Sequence, residues 1–238
     1  MDVRPFKLQQ LEKGKSNARA FYESSDNKII CAIYGPSHTR QRANPECEIN
    51  IELNFISDQK FQENTNKNRE QDEKNQKYLN FLKFKINEVL QSVVLLDEYQ
   101  KSTISIILDI LELNSPPLVP ILNLLNYSLI LSGLKIQEQF SSSLCLYNPQ
   151  NQQIYLDPTN QEIEQLQKYN ESENQKMNDQ KSVILNLVIA GKNNKIIYLN
   201  MDGIINDKSL YEKLFSAGVS YSNSILKLQQ QFIQQAFQ

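Results

Sequence analysis

Residues 103–113 read Thr-Ile-Ser-Ile-Ile-Leu-Asp-Ile-Leu-Glu-Leu, and after a short break residues 118–132 are again mostly leucine, isoleucine and valine. The first run predicts a central strand covered on both faces. In the second, Leu118, Leu122, Leu125 and Leu129 recur at helical spacing up to Gly133, which predicts a buried helix with glycine just past its end. Ser115-Pro116-Pro117 between them predicts an N-cap followed by proline in the first turn. An apolar strand leading into an apolar helix cannot fold as a single layer, so other elements must cover both. Pro120, Asn123, Asn126 and Ser128 interrupt the helix, and its length is insufficient for a bilayer, so it is read as a core helix.

The flanking segments supply the cover. Phe21 and the run Ile29–Tyr34, ending at Gly35-Pro36, predict strands, as does the alternation of Ile49, Ile51, Leu53 and Phe55 with Asn50, Glu52 and Asn54. Together they predict an opening β-meander. Residues 57–77 predict a polar loop, after which Tyr78, Leu82, Ile86, Val89 and Val93 mark an amphipathic helix. Strands follow at Phe140–Tyr147 and Ile154–Leu156, then the turn Asp157-Pro158-Thr159. Residues 160–180 are dominated by Gln, Asn, Glu and Lys and predict a mobile loop or frayed helix. Lys181–Ala190 and Lys195–Met201 flank Gly191-Lys192-Asn193-Asn194 as a hairpin. Leu210, Leu214, Ala217, Tyr221, Ile225, Leu228 and Phe232 close the chain as a long amphipathic helix with Asn206 as cap. The order is neither strict strand–helix alternation nor separate blocks, which predicts a layered α+β fold, read as one domain over residues 1–238 with polar loops at about 57–77 and 160–180.

Charge and cysteine usage exclude several chemistries. Lys plus Arg number 25 against 27 Asp plus Glu, so no overall cationic excess exists to release counterions from a nucleic acid, and any RNA contact must be local. The lone histidine, His38, cannot build a His-based zinc site, and Cys31, Cys47 and Cys145 fall in no CxxC spacing. No metal or cofactor is predicted. Three unpatterned cysteines, no basic-plus-apolar leader and no run of about 18 apolar residues predict an intracellular protein without a membrane partner.

Several short pieces, in this order, carry a family resemblance: Arg4-Pro5-Phe6, Asn17-Ala18-Arg19-Ala20, Asp26-Asn27-Lys28, Ile33-Tyr34-Gly35-Pro36, Asn123, Ser132-Gly133-Leu134 and Leu156-Asp157-Pro158-Thr159. On these the chain resembles the RNase-PH-like subunits that form the hexameric ring of the eukaryotic RNA exosome. Among them it is most similar to the ribosomal RNA processing protein forty-six type, because few residues separate Tyr34-Gly35-Pro36 from the next strand. The resemblance implies an RNase-PH-like fold of the ribosomal protein S5 domain 2-like kind, with mixed sheets packed with helices. It implies five homologous ring neighbours, RNA-binding cap subunits, and RNA passing through a central channel toward a separate nuclease, in nucleus, nucleolus and cytoplasm. The implied role is RNA processing and degradation, including rRNA maturation and mRNA turnover.

Active relatives hold phosphate with a Gly-Gly-Thr-Arg-type segment and metal with aspartates on a later strand. Here Asn114-Ser115-Pro116-Pro117-Leu118 stands at the first position, and Ser182 and Ile184 at the second. Proline has no N–H to offer a phosphate, leucine replaces the arginine, and neither serine nor isoleucine supplies a carboxylate. Asp179 substitutes only after a local realignment, and the arginine is not restored. No catalytic residue is therefore assigned, and the expectation is a non-catalytic ring subunit. A phosphate-dependent 3′–5′ exoribonuclease and a stand-alone RNA-binding or interaction protein stay as alternatives. His38 reads as a solvated loop histidine, Asp97-Glu98 as a solvated connection, Asp157 as turn chemistry, and Tyr34 and Tyr155 as core packing. Arg40 and Arg42, in the loop after Gly35-Pro36, are the candidates for RNA phosphate contact; the mixed-charge loop around Lys60–Lys77 is weaker.

Overall fold

A computed structural model describes residues 3–25, 27–38, 46–56, 69–149, 151–165, 182–191, 193–205 and 207–237. Strands β1 (Phe6–Gln10), β2 (Ala18–Ser24) and β3 (Asn27–His38) form an antiparallel meander. The predicted meander stops there. Strand β4 (Glu48–Phe55) lies parallel to β5 (Ser102–Leu113), at the edge of a sheet ordered β1-β2-β3-β5-β4. The reason is the connection between them: helix α1 (Arg69–Val93) is the crossover that parallel neighbours require. Helix thus begins at Arg69, inside the predicted 57–77 loop, while residues 57–68 lie outside the described part.

Strand β5 is interior to its sheet, as predicted, but only one face is fully covered. Ile104, Ile106, Leu108 and Ile110 are buried, whereas Ser105, Ile107, Asp109 and Leu111 on the other face are half-buried. Strand β3 also departs from the reading: it passes through Gly35-Pro36 to His38, with a register shift against β5 between Tyr34 and Ser37. That irregularity accommodates a residue that cannot donate to the ladder.

The second sheet is antiparallel, ordered β7-β6-β8-β9, from β6 (Phe140–Asn148), β7 (Gln153–Leu156), β8 (Val183–Ala190) and β9 (Lys195–Asp202). The predicted hairpin joins the last two, with Ala190 opposite Lys195. Helix α2 (Leu118–Ser132) is buried almost all round because it contacts β2 and β3 on one side and β6 on the other. Burying each of its leucines is worth roughly 1.5–3 kcal/mol. It ends as predicted at Gly133, whose φ of 75° and N–H bond to the Ile130 carbonyl close the last turn. Residues 160–165, predicted as loop or frayed helix, are helical (α3); residues 166–181 lie outside the described part. The closing helix α4 (Lys208–Ala236) packs on β6 and β8 through Leu214, Ala217, Tyr221 and Ile225. Its cap is Asp207, whose carboxylate accepts the Ser209 N–H at 2.9 Å; the predicted cap, Asn206, lies outside the described residues.

Strand β7 pairs with β6 only from Cys145 to Asn148, so among the described residues no strand pairs with that edge of β6 over residues 140–144. Side chains of α2 take the strand's place. Asn126 Oδ1 accepts the Phe140 N–H at 3.1 Å, and Asn123 both accepts the Ser142 N–H at 2.9 Å and donates to the Ser142 carbonyl at 3.0 Å. The two asparagines, three apart on one helical face, match alternate residues of a strand. Gln229 of α4 joins them, donating to Asn123 Oδ1 at 3.0 Å and accepting from Asn126 at 2.6 Å.

The cysteines test this packing. Burial pushes the thiol pKa of Cys31, helped by Asp109 and opposed by a Ser128 hydrogen bond, up to about 12; burial and Asp157 do the same to Cys145. Cys47 is only half-buried. In the native protein near pH 8, Cys47 is expected to react with a chromogenic disulfide reagent, while Cys31 and Cys145, almost wholly thiol at that pH, react only after unfolding. Fast titration of all three in the native state would contradict the packing.

Candidate functional site

Where β5 ends, the chain turns through Asn114-Ser115-Pro116-Pro117 into α2. This turn lines a cleft of about 900 Å³ whose other walls are α3 and one face of the second sheet. In the antiparallel register Ile184 lies opposite Asp202, and Asn186 opposite both Asn200 and Leu144, so these side chains share the face that floors the cleft. Tyr78 of α1 and Asn160, Gln161 and Glu164 of α3 complete it. The segments that the sequence places at the phosphate and metal positions of active relatives, 114–117 and Ile184, therefore do meet in one cleft.

The turn is held by a residue far away in sequence. Asn27, buried at the start of β3, accepts the backbone N–H groups of Asn114 at 3.1 Å and Ser115 at 3.2 Å, and donates to Ser115 Oγ at 2.7 Å. Ser115 is thus not the predicted helix cap: Pro117 occupies the cap position and makes no side-chain cap bond. Pro116, Pro117 and Pro120 have no N–H, and the two amides before them already bond Asn27. Only Leu118 and Val119 carry an N–H at the start of α2, and both residues are buried. A helix N-terminus that binds anions needs free amides aimed into the site. This one has almost none.

Charge points the same way. The described side chains lining the cleft include Glu164 and Asp202 and no Lys, Arg or His. Two carboxylates with no cation beside them on the described cleft wall would repel a phosphate. Among the described residues no group of three His, Cys, Asp or Glu side chains is placed to hold a metal ion. Asp179 lies outside the described residues. Asp202 and Glu164 escape a reading by position because neither is adjacent to the aligned segments; the pairing of β9 with β8 and the fold of α3 bring them in.

Helix α3 is fixed at the rim by a capping box. Glu162 accepts Thr159 N–H at 2.7 Å and Thr159 Oγ at 3.0 Å, and Glu162 N–H returns a bond to Thr159 Oγ1 at 3.3 Å. Arg4 adds an ion pair to the same carboxylate at 3.0 Å. Partial burial opposes ionisation of Glu162, but the Thr159 hydrogen bonds and the Arg4 guanidinium outweigh it and hold the carboxyl below its ordinary value. Asp157 takes φ 53° in the turn just before, consistent with turn chemistry.

The other candidates lie elsewhere. Arg40 and Arg42 fall outside the described residues. His38 is exposed at the end of β3 rather than in a loop, opposite Ser102. Asp97 and Glu98 sit in a 3₁₀ turn, Leu96–Tyr99, where Glu98 pairs with Lys135 at 2.9 Å. Tyr34, read from sequence as core, is 37% exposed near the end of β3, because it alternates with buried Ile29, Cys31 and Ile33 and so lies on the other face of the strand. Tyr155 is half-buried and its hydroxyl accepts from Asn151 at 2.7 Å.

The family model for the 3′ exoribonuclease family, domain 1 (RNase PH), matches residues 2–135, the part that holds the first sheet and α2. Across nearly the whole chain the fold is similar to the crystal structure of Rrp46 from rice (Oryza sativa), with a TM-score of 0.72 at 18% identity, covering 98% of this chain and 96% of that one. No curated protein matches the chain.

Proposed function

The chain belongs to the RNase PH, or 3′ exoribonuclease, family, and on that premise we propose that it is a non-catalytic subunit of an exosome-like ring, supporting 3′–5′ RNA processing and degradation by forming part of the RNA channel. The observation that carries the non-catalytic half is the Asn114–Pro117 turn: prolines and Asn27 remove the amides an attacking phosphate would need. The ring half is supported by the likeness in fold to rice Rrp46 and by the family pieces along the chain. Its partners are then other RNase-PH-like ring subunits and RNA-binding caps, in nucleus, nucleolus and cytoplasm. Arg40 and Arg42 are the proposed phosphate contacts at the channel. Among the described residues no helix is long and apolar enough to cross a membrane.

Native affinity purification followed by mass spectrometry of the intact complex tests the assembly. One copy with five RNase-PH-like relatives and cap subunits is expected; a monomer or a homo-oligomer without them overturns the ring reading. With RNA, inorganic phosphate and a divalent metal, no nucleoside diphosphate should be released. Phosphate-dependent release from the purified chain would overturn the non-catalytic reading alone.

A further inference from the structure

Helix α1 already has a complete core face: Leu82, Ile86, Val89, Leu90 and Val93 are all buried. Yet two aromatic rings lie away from it, Phe81 at 55% exposure and Phe84 at 66%, and Tyr78, at the outer end of the core stripe, is still 42% exposed. They are spaced i, i+3, i+6, so they form a ladder that drifts round the helix toward the cleft, which Tyr78 lines. Lys77 and Lys85 lie four residues either side of Phe81, and Lys83 precedes Phe84. The Lys85 ammonium sits 4.3 Å from the Phe81 ring centroid and 5.5 Å from that of Tyr198 on β9, which fixes a positive charge beside the ladder. Lys77, seven residues before Phe84, and Lys85, four after Phe81, share the face of the rings with Glu88, four after Phe84, whereas Lys83 lies round the helix from both rings.

We propose that this face of α1 binds single-stranded RNA, with bases stacked on Phe81 and Phe84 and phosphates near Lys77 and Lys85. Every base has a π-face, so exposed rings flanked by lysines suit sequence-tolerant binding of an unpaired strand. A protein partner fits less well: interface cores favour aromatics but are depleted in lysine, and here lysines are interleaved with the rings. The choice of RNA as the nucleic acid rests on the function proposed above; the stacking chemistry comes from the face itself.

The test is fluorescence anisotropy of a labelled oligouridine with the full-length chain alone, at low and physiological salt. Binding that weakens with salt is expected. Phe81→Ala with Phe84→Ala should weaken it roughly a hundredfold, since each base–aromatic stack contributes about tenfold. Phe81→Leu with Phe84→Leu should lose as much, because leucine keeps apolar area but has no π-face, whereas Tyr at both positions should restore binding. Lys77→Glu should flatten the salt dependence by roughly one phosphate contact. Both phenylalanines are more than half exposed, so melting curves of these variants should match the parent. No binding of oligouridine overturns the proposal, as does a leucine double variant that binds like the parent; leucine variants that bind normally while alanine variants lose a protein neighbour assign the face to protein docking. A monomer in the mass measurement that still binds RNA through these rings sinks the ring reading and keeps this one.

Discussion

Asn123→Ala is expected to lower the unfolding free energy by about 4 kcal/mol, read as a shifted denaturant midpoint with little change in slope. Asn123 is 3% exposed, and its amide bonds both backbone groups of Ser142 and the side chain of Gln229. Alanine removes all three bonds and leaves a donor and an acceptor of β6 buried without partners, while Gln229 keeps its 3.4 Å bond to the Asn123 carbonyl. Each such orphan costs about 1–3 kcal/mol, against total stabilities of about 5–15 kcal/mol for most domains. Asn123→Asp should be worse. A carboxylate can still accept the Ser142 N–H, but it faces the Ser142 carbonyl with no donor and places a charge in the core. If the alanine variant lost under about 1 kcal/mol, α2 asparagines would not be standing in for the missing strand.

Gly35→Ala is the second large effect. Gly35 has φ 105°, a conformation closed to residues with a side chain, and an added Cβ would lie 2.6 Å from the Thr103 carbonyl oxygen and 3.1 Å from Ser37 N. Both neighbours are backbone of the β3–β5 pair, and the Gly35 N–H is held by Asn17 Oδ1 at 2.9 Å, so the site cannot yield without opening the ladder. A loss of about 3 kcal/mol or more is expected. Gly14→Ala is the control: its φ is 56° and nothing lies within 4 Å of the added carbon, so only the backbone penalty of about 1 kcal/mol applies. Equal losses at the two positions would show that the close contact with Thr103 contributes nothing.

The residues that carry the family resemblance turn out to be those that hold the fold. Asn17 bonds Gly35, Asn27 fixes the turn at 114–115, Asn123 completes β6, and Thr159 and Arg4 secure Glu162 at the rim of the cleft. A chain that keeps these contacts holds the fold independently of what its cleft can bind. The structural ring role proposed above requires that much of the chain.

Sequence alone determined the elements whose signal is local. The apolar runs of β5 and α2, the glycine closing α2, the β8–β9 hairpin and the amphipathic stripe of α4 are written in the spacing of neighbouring residues, which fixes backbone periodicity within a few turns. The missing amides of Pro116 and Pro117 were legible too, because proline's chemistry is independent of context. Tertiary structure decided what depends on partners distant in the chain. Ser115 looks like a cap, but Asn27, 88 residues away, holds it instead. Strand β4 looks like the fourth of a meander and lies beside β5, because a helix intervenes before the strand it pairs with. Asp202 and Glu164 become cleft residues only through strand register and helix packing. Which groups meet is set by burying apolar surface and satisfying backbone hydrogen bonds over the whole chain, and no local pattern encodes that choice.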